Sequence, residues 1–144
     1  PLDLVILALG TNDTFAEAGR KPQNTVNAMR SLITATRDLP TAPGSSVPNT
    51  SPPKVMIVSP PNCLPLPSVT GEGFPELDDL IRWLPKLAKL YEELAIEQDT
   101  YFADAAKFCE PDPVDGLHLD VENTRKLGIG IAETIALEGF ADFC

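Results

Sequence analysis

The 144-residue chain contains one histidine, His118, which follows an aspartate by three positions in Asp115-Gly116-Leu117-His118. A carboxylate three residues before an imidazole on a turn can hold Nδ1, fix the tautomer and leave Nε2 free as a base. A surface loop with an incidental acid meets the same spacing. A second polar group stands far away in sequence, at Gly10-Thr11-Asn12-Asp13, where an apolar run stops. Glycine permits a tight exit from a strand. An Asn amide placed there could donate its N–H to a developing oxyanion. An Asn-Asp turn or helix cap would use the same residues.

The elements that must carry these groups are legible as an alternation. Asp3 to Leu9 reads as a buried parallel strand, a continuous apolar run without a period of two. Thr25 to Leu39 reads as a helix with Val26, Met29, Ile33 and Ala35 on its apolar side, ended by Leu39-Pro40. Thr41 to Pro53 is a surface loop by composition, and Lys54 to Ser59 a second buried strand. The connection that follows, Pro60 to Pro75, is of a length that often lines a site. Glu76 to Gln98 reads as a long helix, with Leu77, Leu80, Ile81, Leu84, Leu87, Ala88, Tyr91 and Leu94 at three- and four-residue steps. Pro85 should kink or break it. Thr100 to Ala103 is a short strand. Asp120 to Glu138 is a terminal helix with Asp120 as N-cap, weakened locally by Gly128 and Gly130. The order β-α-β-α-β-α predicts an α/β fold, a three-layer α/β/α sandwich on a parallel sheet. In such sheets ligands bind at the carboxyl ends of the strands. Gly10–Asp13, the Pro60–Pro75 connection and the segment holding Asp115 and His118 all follow strands, so one site is expected there.

Composition narrows the classes. The length suits a single domain, residues 1–144. A formal net charge of −10 excludes a phosphate-backbone partner, so no nucleic acid is expected. No apolar stretch is long enough for a membrane span, and the first residues lack the basic start of a signal peptide. Cys63, Cys109 and Cys144 are odd in number and widely spaced, which suits a reducing compartment and a cytoplasmic location rather than a disulfide framework. A metal site on His118, Asp115 and Asp120 or Glu122 would be thin for zinc, which prefers several N or S ligands. No G-x-G-x-x-G follows a strand, so no dinucleotide cofactor is expected.

Taken together, the two polar groups carry a resemblance. Gly10-Thr11-Asn12-Asp13 resembles the G-x-N-D block, and Asp115–His118 the D-x-x-H block, of the SGNH (GDSL-like) hydrolase superfamily. "PLDLVILALGTNDT", "KVMIVSPPNCLPLP" and "VDGLHLDVENTRKLGIGIAE" resemble its arylesterase and acyltransferase branch. The resemblance implies a flavodoxin-like parallel sheet and a serine-dependent ester hydrolase. Such an enzyme acts on short-chain acyl esters through an acyl-enzyme, with acyl transfer as an alternative fate, and uses no cofactor. It implies catalytic roles for three residues: Asn12 as oxyanion donor, His118 as general base and then acid, and Asp115 as the group that orients His118. The family's first block, G-D-S, carries the nucleophile, and no G-D-S occurs in this sequence. Ser31, Ser45, Ser46, Ser51, Ser59 and Ser68 have contexts that suit a nucleophile poorly, Ser59 being a strand-end hydrogen-bonder. The expectation is therefore a chain truncated at its N-terminal strand and serine block, and inactive alone. The segment carrying the serine would be a complementing N-terminal piece. A catalytically inactive fragment, or a pseudo-enzyme binding module with a homo-oligomeric partner, is the other reading. The Pro60–Phe74 connection and the Trp83 region would form an apolar acyl pocket, unless Trp83 simply packs the long helix onto the sheet.

Overall fold

The computed structural model describes residues 2–14, 21–38, 52–65 and 75–139. Expectations placed on the first loop and on most of the connection after the second strand lie outside them, as do Ser45, Ser46, Ser51, Ser68 and Cys144. Three strands, β1 (Leu4–Ala8), β2 (Lys54–Ser59) and β3 (Tyr101–Asp104), form a sheet in that order, both pairings parallel. Three helices, α1 (Pro22–Asp38), α2 (Pro75–Glu97) and α3 (Val121–Leu137), alternate with them.

The central strand organises the layers. From Val55 to Ser59 every residue of β2 is buried, and alternate side chains face opposite ways. Val55 and Ile57 pack with Val26, Met29 and Ile33 of α1 and with Leu80, Leu84, Leu87, Tyr91 and Leu94 of α2. Met56 and Val58 pack the other way, with Leu127, Ile131 and Ile135 of α3. The sheet thus lies between α1 and α2 on one side and α3 on the other, the three-layer arrangement the alternation predicts.

Several local expectations are corrected. β1 is not a buried strand: it forms an edge of this sheet, and Ile6 stays exposed. An unbroken apolar run cannot tell an edge from a centre, because it lacks the alternation that would reveal one wet face. α1 begins three residues early, with Pro22 in the first turn, where its missing N–H costs nothing. Asn24 supports that start by accepting a hydrogen bond from the Lys21 N–H (2.9 Å). Ala35 faces solvent, and Thr36 takes its place against the core. α2 runs through Pro85 without a break. Pro85 is exposed, on the side of the helix away from the core. At α3, Asp120 caps the helix by accepting from the Asn123 N–H (2.6 Å).

The two glycines of α3 differ. A Cβ on Gly128 would meet nothing, whereas one on Gly130 would run into the Phe108 ring. Gly130 therefore lets α3 approach the segment after β3, which leads to His118.

Candidate active site

At the carboxyl end of β1 the chain turns through Gly10, whose φ of +129° is a conformation that side-chain-bearing residues rarely adopt. Thr11–Thr14 then form one 3-10 turn, held by a hydrogen bond from the Asp13 N–H to the Gly10 carbonyl (3.3 Å). Asn12 is exposed on this turn.

After β3 the chain is tied step by step toward His118. Asp104 caps a short 3-10 turn by accepting from the Ala106 N–H (3.2 Å). The loop that follows closes on itself. The Asp112 N–H donates to the His118 carbonyl (2.7 Å), the Gly116 N–H to the Asp112 carbonyl (2.8 Å), and the Val114 N–H to the Asp112 carboxylate (2.8 Å). Gly116 turns the chain with a φ of +66°. A bond from the Leu64 N–H to the Gly116 carbonyl (2.9 Å) fastens the loop to the segment following β2.

Inside this loop Asp115 uses both carboxylate oxygens. Oδ1 accepts from the N–H groups of Leu117 and His118, each at 2.9 Å, and Oδ2 lies 2.7 Å from His118 Nδ1. The Leu117 N–H, then the imidazole, then the His118 N–H hold the Asp115 carboxyl down at about 2. It is therefore an anion at neutral pH, and an anion facing Nδ1 keeps a proton on that nitrogen. The neutral ring then presents an unprotonated Nε2. The His118 side chain is 78% exposed, so solvent or substrate can reach that nitrogen.

Asn12 and His118 line one cleft of about 600 Å³ at the carboxyl edge of the sheet. Its floor comes from Leu9, Gly10 and Tyr91, and Leu117 and Leu119 flank the imidazole. One wall is α1, through Thr25, Ala28, Met29 and Leu32. The Pro60–Phe74 expectation survives in Pro61 alone among the described residues, and Trp83 is not among the cleft's lining residues. The α1 wall went unread because its spacing is that of a core-facing stripe. The available signal was Ala28 and Leu32, apolar but lying beside the buried stripe; both are exposed.

Among the described residues, burial removes Ser59, Cys63 and Cys109 as nucleophiles, and Ser31 is spent on its own helix. Ser59 is 1% exposed; its hydroxyl donates to Asp104 Oδ1 (3.1 Å) and accepts from the Ala105 N–H (3.3 Å). Ser31 lies on α1 and donates to the Asn27 carbonyl (3.1 Å). Burial, with the charge of Asp115 adding to it, pushes the Cys63 thiol up to about 11, and burial raises that of Cys109. Neither is a thiolate at neutral pH. Among the described residues no group of three or more His, Cys, Asp or Glu could hold a metal ion. Among the same residues no helix is long and apolar enough to cross a membrane.

The model of the GDSL-like lipase/acylhydrolase family matches residues 1–123. Among solved structures, an aryl esterase from M. smegmatis is 35% identical, with a TM-score of 0.79 over 94% of this chain and 61% of that one. A carbohydrate acetylesterase from Sinorhizobium meliloti is 34% identical, with a TM-score of 0.78 over 95% of this chain and 61% of that one. The chain thus spans 61% of the length of each. No curated protein matches the sequence.

Proposed function

The chain belongs to the GDSL-like lipase/acylhydrolase family, and from that premise we propose that it supplies the base and oxyanion side of a serine ester hydrolase. His118 is the general base, Asp115 orients it, and Asn12 donates to the oxyanion. The nucleophilic serine comes from a segment outside these 144 residues, the chain being the larger part of one SGNH domain. The substrates are short-chain acyl esters; of the two similar structures, one is named an aryl esterase and the other a carbohydrate acetylesterase. The acyl-enzyme is discharged by water, or by an alcohol where one competes.

The chemistry runs as follows. His118 Nε2 takes the serine proton as the hydroxyl oxygen attacks the ester carbonyl. The negative charge that forms on the carbonyl oxygen is met by the Asn12 amide. Collapse expels the alkoxide, which takes the proton from His118. A water then repeats the sequence on the acyl-enzyme, releasing the acid and the serine. One observation carries this reading: an imidazole held by a carboxylate at 2.7 Å shares a cleft with an exposed Asn amide. The source of the serine is supported by the burial of Ser59 and the helical position of Ser31.

The test uses the intact protein, with the upstream sequence of its gene, and p-nitrophenyl acetate as substrate. We expect turnover, labelling of a serine ahead of Leu4 by a fluorophosphonate, and a loss of roughly 10⁴-fold or more on His118→Ala. Labelling at Ser59 or Ser68 would show the nucleophile misplaced. Full activity after His118→Ala would remove the base from the reading. An intact protein that neither turns over ester nor labels would favour the binding-module alternative.

A further inference from the structure

We infer that Tyr91 is a positioning residue for the oxyanion turn, acting through the Leu9 carbonyl and the glycine that follows it. The inference rests on the reading of Asn12 as the oxyanion donor.

Tyr91 comes from the C-terminal third of α2, far in sequence from both blocks that carry the resemblance. Its ring belongs to the core cluster, and only 1% of the residue is exposed. A buried phenol needs a partner for its O–H. Tyr91 finds one in the Leu9 carbonyl, to which it donates at 3.2 Å. Leu9 is the last residue before Gly10, and Asn12 follows two positions later. The hydroxyl therefore holds the chain where it leaves the strand for the turn that presents Asn12.

The approach is close. A Cβ on Gly10 would lie 3.0 Å from the Tyr91 hydroxyl and 2.9 Å from Leu87 Cδ2. Gly10 is thus seated directly on two side chains of α2, and its left-handed φ is compatible only with that seat left empty. Burial makes the phenol a weaker acid, pushing its pKa above the usual value, and the charge of Asp13 adds to the effect. The group is a protonated donor at any working pH. Leu87 and Tyr91 define the turn's position from below, and Tyr91 also fixes the direction of the Leu9 carbonyl. An oxyanion donor acts through preorganisation, so the rigidity of its support enters the rate and not the ground-state affinity.

Tyr91→Phe keeps the ring and removes only the donor. In the intact protein we expect kcat on p-nitrophenyl acetate to fall roughly three- to tenfold, the scale of one net hydrogen bond. KM should stay within about twofold. Amide hydrogen exchange at Asp13, whose N–H closes the turn on the Gly10 carbonyl, should speed up by a similar factor, with β2 unchanged. Leu94→Val is the control, because it trims core packing one turn further along α2. It should lower Tm and leave kcat unchanged at temperatures where the protein is folded. Unaltered exchange in the turn of Tyr91→Phe overturns the inference, whatever the activity. So does a fall in kcat equal to that of Leu94→Val. An intact wild-type protein without esterase activity defeats the functional reading alone, since the exchange experiment still decides whether Tyr91 holds the turn.

Discussion

Asp115→Asn separates the two jobs of one carboxylate. In the native loop Oδ1 accepts two backbone N–H groups while Oδ2 faces Nδ1. An asparagine can satisfy one side only. With its carbonyl toward the backbone, it keeps both loop bonds and points its NH₂ at Nδ1. Nδ1 must then accept, the proton moves to Nε2, and the ring is no longer a base. With the amide flipped, its carbonyl meets Nδ1–H correctly, but the NH₂ confronts the N–H groups of Leu117 and His118, and two charge-assisted bonds are lost. Each such bond corresponds to about ten- to a hundredfold, so kcat should fall by roughly 10²–10⁴. The fold should persist, since the first arrangement keeps the loop intact. Asp115→Ala should lose as much activity and also loosen the loop, visible as faster amide exchange at Leu117 and His118. The assay is steady-state hydrolysis of p-nitrophenyl acetate by the intact protein, with exchange measured in parallel. More than a tenth of the wild-type kcat in Asp115→Asn would refute the reasoning. The same contacts carry a pH consequence. The Asp115 carboxyl is held at about 2, below the ordinary 3.8, so its contribution to stability is present above the ordinary value. That contribution should disappear as pH falls from 3.8 toward 2, and the acid unfolding of Asp115→Ala should lack this component.

Asn12→Ala should lower kcat by roughly 10²–10³ with KM little changed, read from the same hydrolysis assay. Gly128→Ala should raise Tm by about 2–4 °C, because a Cβ there meets nothing and helix propensity improves. Gly130→Ala should lower Tm by several degrees, because its methyl meets the Phe108 ring and overpacking costs about 1–3 kcal/mol; a calorimetric scan of both variants decides. The Cys63 and Cys109 thiols should resist a thiol reagent in the native protein at neutral pH and react on unfolding, since both are buried and protonated.

The parts of the fold governed by local chemistry were readable. β2 announced itself because a central parallel strand is apolar on both faces, and Asp120 because a capping carboxylate is a local event. The stripe of α2 was clear at Leu80, Ile81, Leu84, Leu87, Tyr91 and Leu94, while the buried Ala95 was missed. What depends on neighbours was not readable. β1 looks like β2 in sequence, and among the described residues it pairs with one strand where β2 pairs with two. Pro85 breaks a helix when its turn is buried and is tolerated when that turn is wet, and sequence does not say which face is wet. In the site, Asp115 and His118 were legible because they stand three positions apart. That Asn12 faces the same cleft depends on the strands running parallel, which the alternation of elements supplied, and on the strand order, which it did not. The Tyr91–Leu9 contact and the α1 wall were hidden, because a residue that touches a turn or borders a cleft carries the same apolar spacing as one that fills the core.

The cleft takes its reactive groups and its wall from separate parts of the chain. The imidazole and the amide sit on turns after β3 and β1, while α1 contributes Ala28 and Leu32, which project outside its buried stripe. Evolution, or a protein engineer, can therefore vary these two positions as a recognition surface without opening a cavity in the core or displacing a catalytic group. On the proposed esterase reading, a small library at Ala28 and Leu32 should change which alcohol or acyl group fits, while leaving Asn12, Asp115 and His118 in place. Selectivity and turnover would then be adjustable along nearly independent axes.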